Sequence, residues 1–160
     1  MSDRVFIGLG ANLGDPRRAI DDALDALAAR PDVRLTDVSS LYRSAPVGVG
    51  PQPDFVNAAA SLDTVLDPHA LLDALLEIET RHGRERPHPG AARTLDLDLL
   101  LHGTQEVATP VLTLPHPRLH ERRFVLEPLA EIAPGLEIPG RGPVGALLAR
   151  CRDQEVERIA

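Results

Sequence analysis

Two aspartates one residue apart, Asp96 and Asp98 in the run RTLDLDLLL, are the groups in this sequence best suited to chemistry. In an extended strand, residues two apart share a face. The two carboxylates then stand side by side, while Leu95, Leu97 and Leu99 fill the opposite face. Neighbouring like charges favour a cation between them. Mg²⁺ is a hard ion held by one or two carboxylates plus phosphate oxygens. Spacing alone also fits a solvated face carrying two unrelated aspartates. Arg84, Arg86 and Arg93 lie just upstream, and guanidinium forks match phosphate oxygens. Carboxylates for metal beside arginines for phosphate form the apparatus of phosphoryl transfer. The same arginines are also able simply to pair with Asp96, Asp98 and Glu85.

Further groups join these. Glu79 falls near the apolar stripe of its helix, where a carboxylate needs a partner; it either orients an arginine or reaches solvent at the edge. Phe55 and Asn57 share one face of a strand. An aromatic face beside an amide suits a planar heterocycle, but also suits a core residue next to a hydrogen-bonded one. LPHPRLHERRF supplies His116, His120, Arg122, Arg123 and Phe124. His116 stands between two prolines, which stiffen the backbone that aims its ring. His116 and His120 lack a third ligand at metal-binding spacing. His69, His82, His88 and His102 read as surface residues. GLGANLG at 8–14 is GxGxxxG, not the dinucleotide fingerprint, and reads as a tight structural turn.

Composition narrows the classes. The 160 residues fit a single domain, 1–160, and 43% hydrophobic with 26% charged residues is ordinary for a globular chain. All 17 basic residues are arginine, which excludes a Walker A loop and Schiff-base chemistry, both of which need lysine. A net charge of -7 argues against nucleic-acid or membrane partners. There is no apolar run long enough to span a bilayer and no signal peptide at MSDRVFIGLG. The one cysteine, Cys151, fits a reducing cytoplasm.

The elements that must position these groups read in order. A strand spans 4–8. Asp15 caps a helix over 16–30, with Pro16 at its first position and Ile20, Leu24 and Leu27 on its apolar stripe. A β-rich segment covers 33–43 and a Pro/Gly-rich loop follows in SAPVGVGPQP. A strand over 54–64 precedes a helix begun by Asp67 and Pro68 and closed by Gly83, then the strand 94–101 turning at His102-Gly103. Short helices near 118–131 and 143–151 complete the chain. This order predicts an α+β domain with a ferredoxin-like βαββαβ core, a mostly antiparallel sheet with helices packed on it, and a C-terminal elaboration.

Taken together, IGLGANLGD, SSLYRSAPVG, QPDFVNAA, IETRHGRER, RTLDLDLLL and LPHPRLHERRFVLEPLAEIAP resemble the 6-hydroxymethyl-7,8-dihydropterin pyrophosphokinases of folate biosynthesis, over about residues 5–134. The resemblance implies an ATP-dependent diphosphokinase that converts ATP and 6-hydroxymethyl-7,8-dihydropterin to AMP and the pterin diphosphate with two Mg²⁺ ions. It implies that Asp96 and Asp98 bind both metals. By the same resemblance, Asn57 would hydrogen-bond the pterin, Phe55 and Phe124 would sandwich its ring, and Ser44, Ala45 and Val47 would line the pterin side. Arg84 and Arg93 would stabilise charge on the transferring phosphates, and Glu79, Arg86, His116 and Arg122 would contribute to ATP binding. The expected partners are these small molecules, with no nucleic acid and no membrane, for a cytoplasmic monomer. Two departures stand out: PHPGAAR replaces a loop in which the family usually carries tryptophan, and Pro117 replaces a frequent aromatic residue. A catalytically inactive sensor, a γ-phosphoryl kinase and an RNA-binding module are the competing readings. The paired aspartates, the AMP product and the scarcity of aromatic residues respectively separate them.

Overall fold

Asp15 accepts the Arg18 amide at 3.2 Å and Pro16 occupies the first helical position, so the chain turns into helix where the sequence signals it. The computed structural model describes residues 3–12, 14–45, 54–83 and 95–159. Its elements, in chain order, are β1 (Asp3–Ala11), α1 (Pro16–Ala28), β2 (Val33–Val38), β3 (Tyr42–Ser44), β4 (Phe55–Thr64), α2 (Pro68–Gly83) and β5 (Asp96–His102). They continue with β6 (Val107–Ala108), β7 (Thr113–Leu114), α3 (Arg123–Ile132), β8 (Glu137–Ile138), β9 (Gly142–Pro143), α4 (Val144–Ala149) and β10 (Val156–Arg158). Asp67 repeats the capping device for α2, accepting the Ala70 amide at 2.8 Å.

The main sheet runs β10-β3-β4-β1-β5, and every pairing in it is antiparallel. β1 and β4 pair along their length, from Asp3↔Thr64 to Ala11↔Val56, and β5 lies on the other side of β1. This is the expected βαββαβ core. The segment over 33–43, however, is two strands sharing the same edge of β4. β2 pairs with Ala60–Thr64 and β3 with Phe55–Asn57. Between them Ser39 serves Ala59 twice: its N–H donates to the Ala59 carbonyl at 2.9 Å and its Oγ accepts the Ala59 N–H at 2.9 Å. β10 extends the sheet beyond β3, an element the sequence did not reveal.

The glycines of GLGANLG also differ from expectation. Gly8 and Gly10 lie inside β1 and the turn comes later, with Gly14 at φ 68. The alternation of Val5, Ile7, Leu9 and Ala11 toward one core carries the strand through the glycines. His102 is buried at 3% exposure, not on the surface, because its Nε2 lies 2.9 Å from the Leu66 carbonyl. His69 is exposed as expected and His82 is half-buried; His88 lies outside the described residues.

The sheet has an apolar core on each face. On one, Val5, Ile7, Leu9, Leu62, Leu97 and Leu99 pack against Ile20 and Leu27 of α1 and Leu71 and Leu75 of α2. On the other, Phe6, Ala59, Leu100 and Leu101 meet Leu126 and Leu129 of α3 and Leu147 of α4. Each fully buried leucine contributes about 1.5–3 kcal/mol. No helix among the described residues is long and apolar enough to cross a membrane.

A polar latch fixes α3 on the sheet. The buried Tyr42 hydroxyl donates to Glu131 at 2.6 Å, and the Ser40 N–H and hydroxyl donate to the same carboxylate at 3.0–3.1 Å. Partial burial works against the Glu131 charge, but the bonds from Tyr42 and Ser40 outweigh it and hold the carboxyl below its usual range. Burial, reinforced by the neighbouring carboxylate, pushes the Tyr42 hydroxyl up. Tyr42→Phe is expected to cost about 1–2 kcal/mol in urea unfolding at neutral pH. Glu131 is lowered in the folded state, so its share is present above the ordinary value of 4.5 and fades as pH falls below it. Tyr42 is raised, so its share fades as pH climbs past 10.0. The difference between wild type and variant should therefore narrow at both extremes of a pH series of urea melts; a constant difference would show that the latch is not formed.

Candidate active site

The two aspartates sit on β5, the edge strand, with Leu97 and Leu99 buried behind them in the core. Their side chains are half-buried on the opposite face. The register then lays out two rows across three strands: Asp96–Gly10–Asn57 and Asp98–Gly8–Ala59. The middle strand contributes no side chain in either row, so a trough runs between the carboxylates and the amide. A Cβ at Gly10 would stand 3.4 Å from Asn57 Oδ1, and one at Gly8 3.5 Å from a Leu100 methyl. α3 covers the Phe6 end of this face and leaves the glycine end open.

The result is a cavity of about 290 Å³. Its wall includes Asp96 and Asp98, Asn57 and Phe55 from β4, Ser44 and Ala45 from β3, and Arg122, Phe124 and Val125 at the start of α3. Asn57 is 5% exposed and its Nδ2 donates to the buried Ser44 Oγ at 2.7 Å. That bond engages one donor and holds the amide with Oδ1 on the Gly10 side. Phe55 and Phe124 both line the cavity, and the Arg122 guanidinium lies over the Phe124 ring, 5.5 Å from its centroid.

His116 is built in from the backbone. Its N–H donates to the Leu100 carbonyl at 3.0 Å, and its Nδ1 accepts the Arg118 N–H at 3.3 Å, leaving the proton on Nε2. Burial lowers its pKa; the Asp98 charge opposes this, and Arg122 and Arg118 add to it. His116 thus lies within the electrostatic reach of Asp98 without lining the cavity. The Arg122 pKa is lowered too, by burial first and then by the Arg118 charge. Two guanidiniums kept this close, on a wall facing two carboxylates, suit a polyanion bound through both metal and arginine.

The structure therefore brings together Ser44, Ala45, Phe55, Asn57, Asp96, Asp98, Arg122 and Phe124 in one cavity. Glu79 is not in its wall: the carboxylate accepts the Leu97 N–H at 2.6 Å on the outer edge of β5. Val47, Arg84, Arg86 and Arg93 lie outside the described residues. Among the described residues, no group of three or more His, Cys, Asp or Glu side chains is gathered to hold a metal. Sequence reasoning missed Gly8, Gly10 and Arg118, all in the wall. The signal for the glycines was present in VFIGLGA, where apolar residues and glycines alternate. Arg118 had only its place beside LPHP.

A family model described as 7,8-dihydro-6-hydroxymethylpterin-pyrophosphokinase matches residues 6–134. A 2-amino-4-hydroxy-6-hydroxymethyldihydropteridine pyrophosphokinase of Pseudomonas aeruginosa is 48% identical over 159 residues, 99% of this chain and 98% of the relative. One of the same description from Haemophilus influenzae is 40% identical, covering 97% of each chain. Among solved structures, an HPPK-DHPS in complex with substrates superposes with a TM-score of 0.78 at 11% identity, a likeness of fold. It covers 98% of this chain but 46% of that one, so the chain spans under half the length of that structure.

The Ser44–Asn57 pair carries its own expectation. Ser44→Ala leaves a buried amide donor without its partner and should cost about 1–3 kcal/mol in urea unfolding. Ser44→Thr, which keeps the hydroxyl, should recover most of it. Equal stability of Ser44→Ala and wild type would mean that the amide is not held by this bond.

Proposed function

The chain belongs to the 7,8-dihydro-6-hydroxymethylpterin-pyrophosphokinase family, and from that premise we propose that the cavity over Gly8 and Gly10 is where ATP and the pterin meet. The enzyme transfers pyrophosphate from ATP to 6-hydroxymethyl-7,8-dihydropterin in folate biosynthesis. The observation that carries the site reading is the pair of rows Asp96–Gly10–Asn57 and Asp98–Gly8–Ala59. They put the two carboxylates on β5 and the Asn57 amide on β4, on either side of the glycines of β1 in one cavity, which supports a phosphate end and a heterocycle end.

At the heterocycle end, Phe55 and Phe124 stack on the two faces of the pterin and Asn57 bonds its polar edge. Ser44 and Ala45 line the same side, and the family resemblance assigns Val47 to the pterin as well. At the phosphate end, Asp96 and Asp98 would hold two Mg²⁺ ions. Two carboxylates without a third protein ligand among the described residues suit this hard ion, which is bound through few carboxylates plus substrate phosphates. There it would neutralise phosphate charge. Arg122, His116, Arg86 and Glu79 contribute to ATP binding, Glu79 from the outer edge of β5; His116 donates through Nε2. Arg118 adds a guanidinium to the same wall. Arg84 and Arg93 stabilise the charge that builds on the transferring group.

The chemistry asks the protein chiefly for alignment and charge. The pterin hydroxymethyl oxygen attacks the β-phosphorus, the bond from that phosphorus to the α–β bridging oxygen breaks, AMP leaves with that oxygen, and the hydroxyl proton passes to solvent. This reading takes the enzyme as a cytoplasmic monomer acting on small molecules, with Cys151 kept as a buried thiol.

Incubation with ATP, Mg²⁺ and 6-hydroxymethyl-7,8-dihydropterin should yield AMP only when the pterin is present, resolved from ADP by chromatography. ADP as product would replace this reading with γ-phosphoryl transfer. Asp98→Ala should lower kcat at least about a hundredfold, roughly the loss of one preorganised charge contact. Activity within twofold of wild type would remove Asp98 from the site.

A further inference from the structure

From the bond between Glu79 and the Leu97 amide we infer that Glu79 is a positioning residue for the metal-holding aspartates, acting through the strand edge. The inference rests on the reading that Asp96 and Asp98 hold Mg²⁺. β5 pairs on one side with β1 and, among the described residues, ends the main sheet on the other. The peptide between Asp96 and Leu97 therefore presents an N–H outward, and an edge N–H must find a partner. Glu79 reaches it from α2 at 2.6 Å, a charge-assisted contact.

The place of that bond gives it leverage. Leu97 is the residue between the two aspartates, and its side chain is 4% exposed in the core behind the sheet. Successive Cα–Cβ bonds leave a strand on opposite faces. Pinning the 96–97 peptide plane on its outer side therefore sets the direction of Asp96 and Asp98 together. On the inner side the same segment is held by pairing with Gly10 and Gly8, which offer no side chain against which the carboxylates can lean. Glu79 thus adds a hold on the outer edge of the segment to the pairing on its inner edge. Groups one shell behind metal ligands are known to act in this way.

The test is direct ion binding, with activity as a second readout. Mn²⁺ is titrated by electron paramagnetic resonance into the whole protein bearing ATP whose α–β bridging oxygen is replaced by methylene, which blocks transfer. Glu79→Ala and the shorter Glu79→Asp should bind Mn²⁺ about tenfold or more weakly. Glu79→Gln keeps an acceptor oxygen and should stay within about threefold of wild type, on the scale of a retained hydrogen bond. The Leu97 amide should exchange faster in Glu79→Ala, and pterin binding, followed by its fluorescence, should not change. Wild-type Mn²⁺ affinity in Glu79→Ala would overturn the proposal while leaving the metal reading intact. Failure of Glu79→Gln to rescue would assign the effect to charge and overturn it too. A parallel loss of pterin affinity would mean a general disturbance of the fold and would likewise overturn it. No Mn²⁺ binding by the wild-type complex would remove the metal reading itself.

Discussion

The register of β1 between β4 and β5 is the constraint on which the cavity and its polar wall depend. Side chains in a strand alternate with a period of two, so three paired strands in register form two complete faces. Leu9, Ala58 and Leu97 align on one face and enter the core beneath α1 and α2. Gly10, Asn57 and Asp96 align on the other. Sliding β5 by one residue would bury both carboxylates and expose the leucines. The hydrophobic core on the far face is thus what holds the polar row on the near one.

The near face needs a boundary, and α3 supplies it. Leucines of α3 cover the Phe6 end of the sheet, and the Tyr42–Ser40–Glu131 latch stops the helix from lying anywhere else. Phe124 and Arg122 sit at the start of that helix, so the latch also sets how far they reach over the trough. The C-terminal tail reinforces the arrangement. β10 pairs with β3, and the Arg123 guanidinium donates to the Gln154 carbonyl at 2.7 Å. Stability of the C-terminal elaboration and geometry of the cavity are therefore coupled through β3, which bears Ser44.

The cavity wall mixes charge with apolar surface. Asp96 and Asp98 share it with Arg118 and Arg122, and beside them lie two aromatic rings and an amide whose Nδ2 is already engaged by Ser44. A chain without lysine depends on guanidinium groups for phosphate. Their planar forks bind two oxygens at once and stay charged when half-buried, as Arg122 is.

Much of this was legible in the sequence. The D-x-D spacing within a leucine run placed both carboxylates on one face, because strand alternation is local geometry. Helix starts at Asp15-Pro16 and Asp67-Pro68 were legible for the same reason: a cap acts within one turn. Phe55, Asn57, Phe124 and Arg122 were recognisable only as members of a family pattern, since nothing local separates a stacking ring from a core ring. Tertiary structure alone decided the rest. Gly8 and Gly10 matter because of the strands beside them, and a turn-like motif became the floor of the trough. His102 is buried because the chain folds Leu66 onto it. Glu79, eighteen residues before Leu97, became the partner of the strand edge because α2 packs across β5. The sequence by itself determined which side chains share a face, a matter of backbone period. Which faces meet is settled by long-range packing, and no local spacing encodes it.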